Sequence, residues 1–242
     1  MVVTLGFLAA GWAAPTLAQS VADSQQSRRA VTRTVAAVGH EWVRMSEFSP
    51  ELIRAVLVAE DVNFFVHEGF EQRPSVEVDR PADATWERPG AGPTITQQLA
   101  RMLWPQPAGN PFRWARLTLL TNELERCLTK EEILEVYLNL AKFGPRLFGA
   151  AAAARHYYGL SASEVGRLEA AHLACLLPAP TRWKPDGLSR RYRSRVARTL
   201  KRMQAETLPG MHLVTAAAIA VGADSIGPVP EDVPVVSVSL LR

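Results

Sequence analysis

From residue 50 onward, apolar side chains recur every three to four positions, the spacing of one helix face. Leu52, Ile53, Val56 and Leu57 predict a helix over residues 50–59. Ser49 is its expected N-cap and Pro50 its first residue, a position where a missing backbone N–H costs nothing. A second helix is predicted over 94–103. Leu117, Leu120, Leu124 and Cys127 form one stripe of a third, over 112–128. Thr129 and Glu132 make a capping box that opens a fourth helix through Ala141, with Ile133, Leu134, Tyr137 and Leu138 on one face. Residues 150–158 are alanine-rich and favour helix. Ser161 and Glu164 make another capping box, which predicts a helix to Leu177 that Pro178 stops. A last, strongly basic helix is predicted over 187–204. Between the first two helices, residues 70–89 hold Pro74, Pro81 and Pro89 with no surviving period, which predicts a loop. No strand alternation of useful length precedes 233–241, so the expected fold class is mainly α.

The ends of the chain look different. Residues 2–18 carry no charge and are mostly apolar, which suits a signal h-region or a short membrane anchor. Thr16-Leu17-Ala18 fits a cleavage site, although the usual basic n-region is missing. The alternative is a buried N-terminal helix, which Gly6, Gly11 and Pro15 weaken. The polar, small-residue stretch 20–33 reads as part of a linker. At 242 residues and 26.5 kDa the chain has room for one domain with appendages. Its 48% apolar and 21% charged residues are enough to bury a core. A net charge of +3 is too mild to suggest a nucleic-acid partner. Cys127 and Cys175 lack any CxxC or Cys/His ligand spacing and none of the five histidines forms an HxxxH pair, so no metal site is expected. Both cysteines read as buried thiols, with a single bridge as the alternative.

Two polar clusters could carry chemistry. Residues 59–69 place Glu60, Asp61, His67 and Glu68 at the end of an apolar helix, where partial desolvation would raise a carboxyl pKa toward acid–base use. The plain alternative is a helix end with surface acids and a hydrogen-bonded histidine. Residues 90–101 lead from a Gly-rich turn into Thr94, Gln97, Gln98 and Arg101, donors suited to an anionic or sugar ligand, though without the lysine of a P-loop. The basic run from Arg182 to Arg202 is either a solvated helix face or a surface for anionic lipid headgroups or pyrophosphate.

Taken in order, the motifs resemble family 51 glycosyltransferases, the peptidoglycan polymerases, and most of all the monofunctional biosynthetic peptidoglycan transglycosylases. The likeness begins at Trp42-Val43-Arg44-Met45 and Ser49-Pro50. It runs through A-E-D-x-x-F-x-x-H-x-G at 59–69, T-I-T-Q-Q-L-A at 94–100, T-K-E-E-I-L-E-V-Y-L-N at 129–139 and E-A-A-H-L-A at 169–174. The resemblance implies a lysozyme-like α lobe with a small membrane-facing lobe over residues 41–205. An anchor or signal at 1–18, a linker at 19–40 and a tail at 206–242 flank it, which leaves no room for a transpeptidase domain. It implies lipid II and undecaprenyl-pyrophosphate glycan strands as partners, a membrane surface, and other cell-wall enzymes as further partners. The implied location is the periplasmic side of the inner membrane, or the periplasm if the N-terminus is cleaved. No cofactor is implied beyond a divalent cation at the pyrophosphate. Carried over by position, Glu60 is the general base. Thr94, Gln97, Gln98, Arg101 (a lysine in most members) and Arg113 bind the donor, and Asp61, Phe64, His67 and Asn139 support the site.

The sequence departs from the family at four positions. In the R-K-x-x-E motif, Trp114 holds the lysine position and Leu117 the second glutamate position. Glu123 and Glu125 lie off that helix face and cannot stand in. Leu117 instead continues the apolar stripe, which predicts core. Pro93 replaces a serine and Met102 an asparagine. Three readings follow: an active but divergent glycosyltransferase, a non-catalytic relative that binds lipid II or glycan, and a one-acid glycan-cleaving enzyme.

Overall fold

The computed structural model describes residues 42–71, 92–105, 111–187, 189–205 and 207–211. The expected anchor, the linker, most of the 70–89 loop and most of the tail lie outside the described residues. Among the described residues, seven α-helices build the fold: α1 (Pro50–Glu60), α2 (Ile95–Leu103), α3 (Arg113–Cys127), α4 (Lys130–Leu140), α5 (Ala150–Tyr158), α6 (Arg167–Leu176) and α7 (Arg190–Ala205). None of them is long and apolar enough to cross a membrane.

Local chemistry sets most of these ends. Ser49 Oγ accepts from Leu52 N at 3.0 Å and starts α1. Thr94 and Gln97 close a capping box on α2, and Thr129 and Glu132 close one on α4. Gly159, at φ +70, ends α5. The expected helix from Ser161 is corrected. Ser161 Oγ donates to Glu164 Oε2 at 2.7 Å instead of capping the backbone, the box closes one turn, and α6 starts only after Gly166. The last helix starts at Arg190, later than expected. Two short strands, which carry no readable alternation, join the helices. β1 (Lys142–Gly144) pairs antiparallel with β2 (Leu147–Phe148), and both are too short to show alternation.

Helix α1 lies along α6, α7 packs on both, and α2 packs on α3 and α4. Leu52, Leu57, Leu99, Leu134 and Leu138 are fully enclosed. Each such side chain contributes about 1.5–3 kcal/mol through burial. The predicted stripe of α3 is core through Leu117, Leu124 and Cys127, with Thr121 beside them. Cys127 and Cys175 are both buried and are not bridged to each other. Asn139 works as a clamp: its Oδ1 accepts from Val43 N at 3.0 Å and its Nδ2 donates to Val43 O at 2.8 Å. One turn earlier, Glu135 accepts from Trp42 Nε1 and Met45 N. Burial pushes the Glu135 carboxyl up while both donors pull it back. This pair ties residues 42–45 to α4.

Candidate active site

Glu60 is the last residue of α1, and a knot of buried polar groups begins one residue later. Asp61 leaves helical geometry and turns its carboxylate onto the start of α2, where Oδ2 accepts the Ile95 N–H at 2.9 Å. A carboxylate there also meets the positive end of the α2 dipole. His67 Nε2 lies 3.0 and 2.9 Å from the two Asp61 oxygens. His67 Nδ1 accepts from Gly69 N, so the ring proton sits on Nε2 and is donated to Asp61. The Gly69 carbonyl accepts from Thr94 Oγ1 at 2.7 Å. Gly69 has φ +83, and a Cβ there would stand 2.7 Å from Thr121 Cγ2, so only glycine fits against α3. Phe64 is buried under the same loop, with the Lys130 ammonium 4.7 Å from its ring. Asp61, Phe64, His67 and Gly69 thus lock the end of α1 to the start of α2.

That lock brings Glu60 and Gln98 together. Gln98 Nε2 donates to Glu60 Oε2 at 3.0 Å and to Pro93 O at 3.2 Å. Gln98 Oε1 accepts from the Tyr137 hydroxyl at 3.1 Å, which fixes the orientation of the amide. Burial raises the Tyr137 pKa well above its usual value, so its hydroxyl remains a donor. On the other side, Arg195 Nη2 is 3.2 Å from Glu60 Oε1. The Glu60 side chain is 10% exposed. Burial raises its pKa, Arg195 and then Gln98 pull it down, and Asp61 adds a smaller push upward. The net shift is upward, which makes Glu60 a better base than a solvated glutamate.

Glu60 opens into a cleft of about 530 Å³. Five cations line it, Arg101, Lys142, Arg195, Arg198 and Arg202, and Glu60 is the one carboxylate among the described lining residues. Arg195, Arg198 and Arg202 form one stripe of α7, while Tyr192, Val196 and Met203 turn into the core. A second hollow of about 540 Å³ lies between α2 and α3, lined by Arg101, Arg113, Trp104, Trp114, Leu117 and Leu120 among others. There the Arg101 and Arg113 guanidinium groups stand 5.8 and 5.7 Å from the Trp114 ring centre.

The structure therefore brings Glu60, Gln98 and Arg101 together at the cleft. Thr94 and Gln97 are not among its lining residues: the Thr94 hydroxyl is bonded to Gly69, and Gln97 completes the α2 cap. Arg113 lines the second hollow. Of the four departures, Pro93 and Met102 are on the cleft wall, whereas Trp114 and Leu117 are in the second hollow. Sequence reasoning left Tyr137 out of the site and took Arg195 only as one member of the basic run. Tyr137 was hidden in an apolar stripe. Arg195 was hidden in a basic run whose i, i+3, i+7 spacing at 195, 198 and 202 was the available signal. Among the described residues no three His, Cys, Asp or Glu side chains gather into a metal-holding group.

Comparison with known proteins supports the same grouping of motifs. A sequence model described as Transglycosylase matches residues 27–204. The chain is 44% identical over 154 residues to a biosynthetic peptidoglycan transglycosylase of Azoarcus sp. (strain BH72), covering 62% of this chain and 64% of that protein. It is 41% identical over 147 residues to one of Nitrosospira multiformis, covering 61% of this chain and 64% of that protein. It is 37% identical over 191 residues to one of Bordetella avium (strain 197N), covering 76% and 78%. The match spans a little under two thirds of the Azoarcus and Nitrosospira proteins. With the family sequence model matching well over half of its length, the chain belongs to the transglycosylase family, the family 51 glycosyltransferases.

Proposed function

We propose that the chain is a peptidoglycan glycosyltransferase that polymerises lipid II into glycan strands. The observation that carries this reading is one desolvated carboxylate facing five cations in a single cleft. Glu60 takes the proton from the 4-hydroxyl of the acceptor sugar. The freed oxygen attacks C1 of the donor from the face opposite the diphosphate, and the new O–C1 bond forms as the old C1–O bond breaks. The bonding electron pair leaves with the undecaprenyl diphosphate, and the anomeric centre inverts.

The charge balance favours transfer over cleavage. A diphosphate departs as a stable anion that needs positive charge more than a proton. A glycosidic oxygen departs as a poor alkoxide and needs a general acid, which is why glycosidases pair two carboxylates. Among the described lining residues, one carboxylate with five cations suits the first case. A divalent cation carried on the diphosphate would add to this positive charge.

The donor's lipid places the reaction at the periplasmic face of the inner membrane, which also makes other cell-wall enzymes available as partners. Phe112, Trp114 and Leu119 are 73%, 60% and 70% exposed in a stretch, at the start of α3, that also carries the exposed Arg113 and Arg116. Aromatic and apolar side chains flanked by arginine suit a membrane interface.

A second reading, a non-catalytic lipid II binder, draws on Leu117, where the second glutamate position is filled by a buried apolar side chain. Incubation with labelled lipid II in detergent separates the two. Polymer from the wild type that vanishes in Glu60→Gln is the expected result. Micromolar binding without polymer favours the binder, and release of anhydro-muropeptides from sacculi favours cleavage.

A further inference from the structure

Lys142 stands apart from the other cations of the cleft. Those four are arginines on α2 and α7, whereas Lys142 is the one lysine among the described lining residues and belongs to β1. Strand β1 packs on α5 and α6. Leu177 and Pro178, which follow α6, and Ala141, which ends α4, are also on the cleft wall. The lysine is held in place from the hairpin. Lys142 and Phe148 are partners across the β1–β2 pair, so their side chains leave the same face. The Lys142 ammonium lies 5.7 Å from the Phe148 ring centre, within reach of a cation–π contact. The next residue, Phe143, is fully buried, as strand alternation requires of a neighbour that points the other way. Its carbonyl accepts from the Tyr157 hydroxyl at 3.1 Å, and Gly149 N donates to Ala141 O at 2.9 Å. The hairpin is thus closed at its base and fastened to α5. Ordering a long lysine stem costs entropy, and the ring bears part of that cost before any ligand arrives.

The surroundings favour one kind of anion. An ammonium is a compact point charge and lacks the planar fork with which a guanidinium grips phosphate. Beside an apolar wall of Ala141, Leu177 and Pro178 it suits a carboxylate carried on a peptide. The apolar part of the peptide covers the wall while its charge meets Lys142. We propose that Lys142, backed by Phe148, recognises a free carboxylate on the peptide of the acceptor and so selects acceptors whose peptide is not amidated. The identity of the acceptor rests on the glycosyl-transfer reading above. Inversion puts the acceptor and the departing diphosphate on opposite sides of the reacting carbon, so a cation that serves one need not serve the other.

The probe is the disaccharide-peptide of lipid II without its lipid and diphosphate, made once with free carboxyl groups and once with those groups amidated. Each form is titrated into the full chain in detergent at fixed ionic strength, and neither brings a phosphate to the arginines. The free acid is expected to bind about tenfold tighter than the amide, the size of one charge-assisted contact. Lys142→Ala should bring the free acid to within about twofold of the amide and leave the amide unchanged. Lys142→Arg should keep the preference, and Lys142→Glu should reverse it, which loss of a merely structural side chain would not do. Phe148→Leu keeps apolar bulk without the ring face and should weaken the free acid about threefold. Arg146→Ala, on the exposed turn of the same hairpin, should stay within about twofold, because it removes charge without removing the contact.

The recognition is overturned if the wild type binds both forms equally, or binds neither at millimolar concentration. It is equally overturned if Lys142→Ala or Lys142→Glu keeps the preference for the free acid, or if Arg146→Ala loses as much as Lys142→Ala. The backing role is overturned if Phe148→Leu binds like the wild type. None of these measurements needs turnover. A chain that polymerises lipid II but does not distinguish the two forms loses this inference alone. A chain that distinguishes them through Lys142 but makes no polymer keeps it and loses the glycosyl-transfer reading.

Discussion

Arg101 borders two hollows of nearly equal volume, and they hold opposite chemistry. In the cleft, polar groups are bonded to each other in sequence: Tyr137 to Gln98, Gln98 to Glu60, Glu60 to Arg195. In the second hollow the guanidinium groups lie against an indole, and Leu117 closes the floor as core. A carboxylate that must stay partly buried needs donors at fixed positions, and only the first hollow supplies them. The comparison also divides the departures from the family pattern. Losing a glutamate at 117 removes none of the groups that hold Glu60. Pro93 and Met102 are the changes on the wall of the Glu60 cleft.

The largest expected effect is therefore at the cleft. Glu60→Gln should lower the rate of lipid II polymerisation by about 10²–10⁴-fold, the usual scale of a lost general base. A fall of less than about tenfold would place the chemistry elsewhere. Next is the knot that positions Glu60. Asp61→Ala leaves the Ile95 N–H and His67 Nε2 without their acceptor in a buried setting. It should cost about 3 kcal/mol in denaturant unfolding, because a buried partner is left unpaired. The second hollow should respond differently. Leu117→Ala should cost about 2 kcal/mol of stability, at the low end for a core leucine because the site borders open space. Turnover per folded molecule should be unchanged. If polymerisation falls with it, the two hollows are not separate.

Much of this arrangement is local and therefore legible in sequence. Ser49, Thr94 and Thr129 cap the helices that follow them, and a cap needs only the next three residues. Leu117 was visible as core because it keeps the stripe of Leu124 and Cys127. Ser161 misled for the same reason. Its pairing with Glu164 forms as expected, but Gly166 and the exposed turn decide where α6 begins. The contacts that define the site are not local. Arg195 meets Glu60 across 135 positions of chain, and Tyr137 meets Gln98 across 39. No periodicity encodes such a pairing. Tyr137 looks like any core aromatic until the partner of its hydroxyl is known.

That hidden contact gives a smaller test on the cleft side. Tyr137→Phe keeps the ring and removes the donor that fixes the Gln98 amide. One net hydrogen bond is worth about 1 kcal/mol, so kcat should fall about fivefold. The pH profile gives the sign. In the proposed role Glu60 must be deprotonated to act, so the rate should fall as pH drops through its pKa. The Gln98 hydrogen bond lowers that pKa. With the amide free to turn, the lowering weakens and the acid limb should move to higher pH. A fall in kcat with an unmoved acid limb would mean that Tyr137 serves packing alone.

The smallest effect tests whether Arg101 links the two hollows. Trp114 is 60% exposed, so its contacts with Arg101 and Arg113 are worth only about 0.5–1 kcal/mol, and Trp114→Ala should barely change the unfolding midpoint. Its consequence for the cleft is more informative. Arg101 is drawn toward the indole on one side and lines the Glu60 cleft on the other. Freed from the ring, it can turn further toward an anion in the cleft. Pyrophosphate should then bind about twofold tighter to Trp114→Ala, the size of a weak cation–π contact released. No such gain should appear when Arg101→Ala is already present. If the gain persists without Arg101, or never appears, the hollows share a wall and no chemistry. Trp114 would then serve the exposed surface of α3 rather than the cleft.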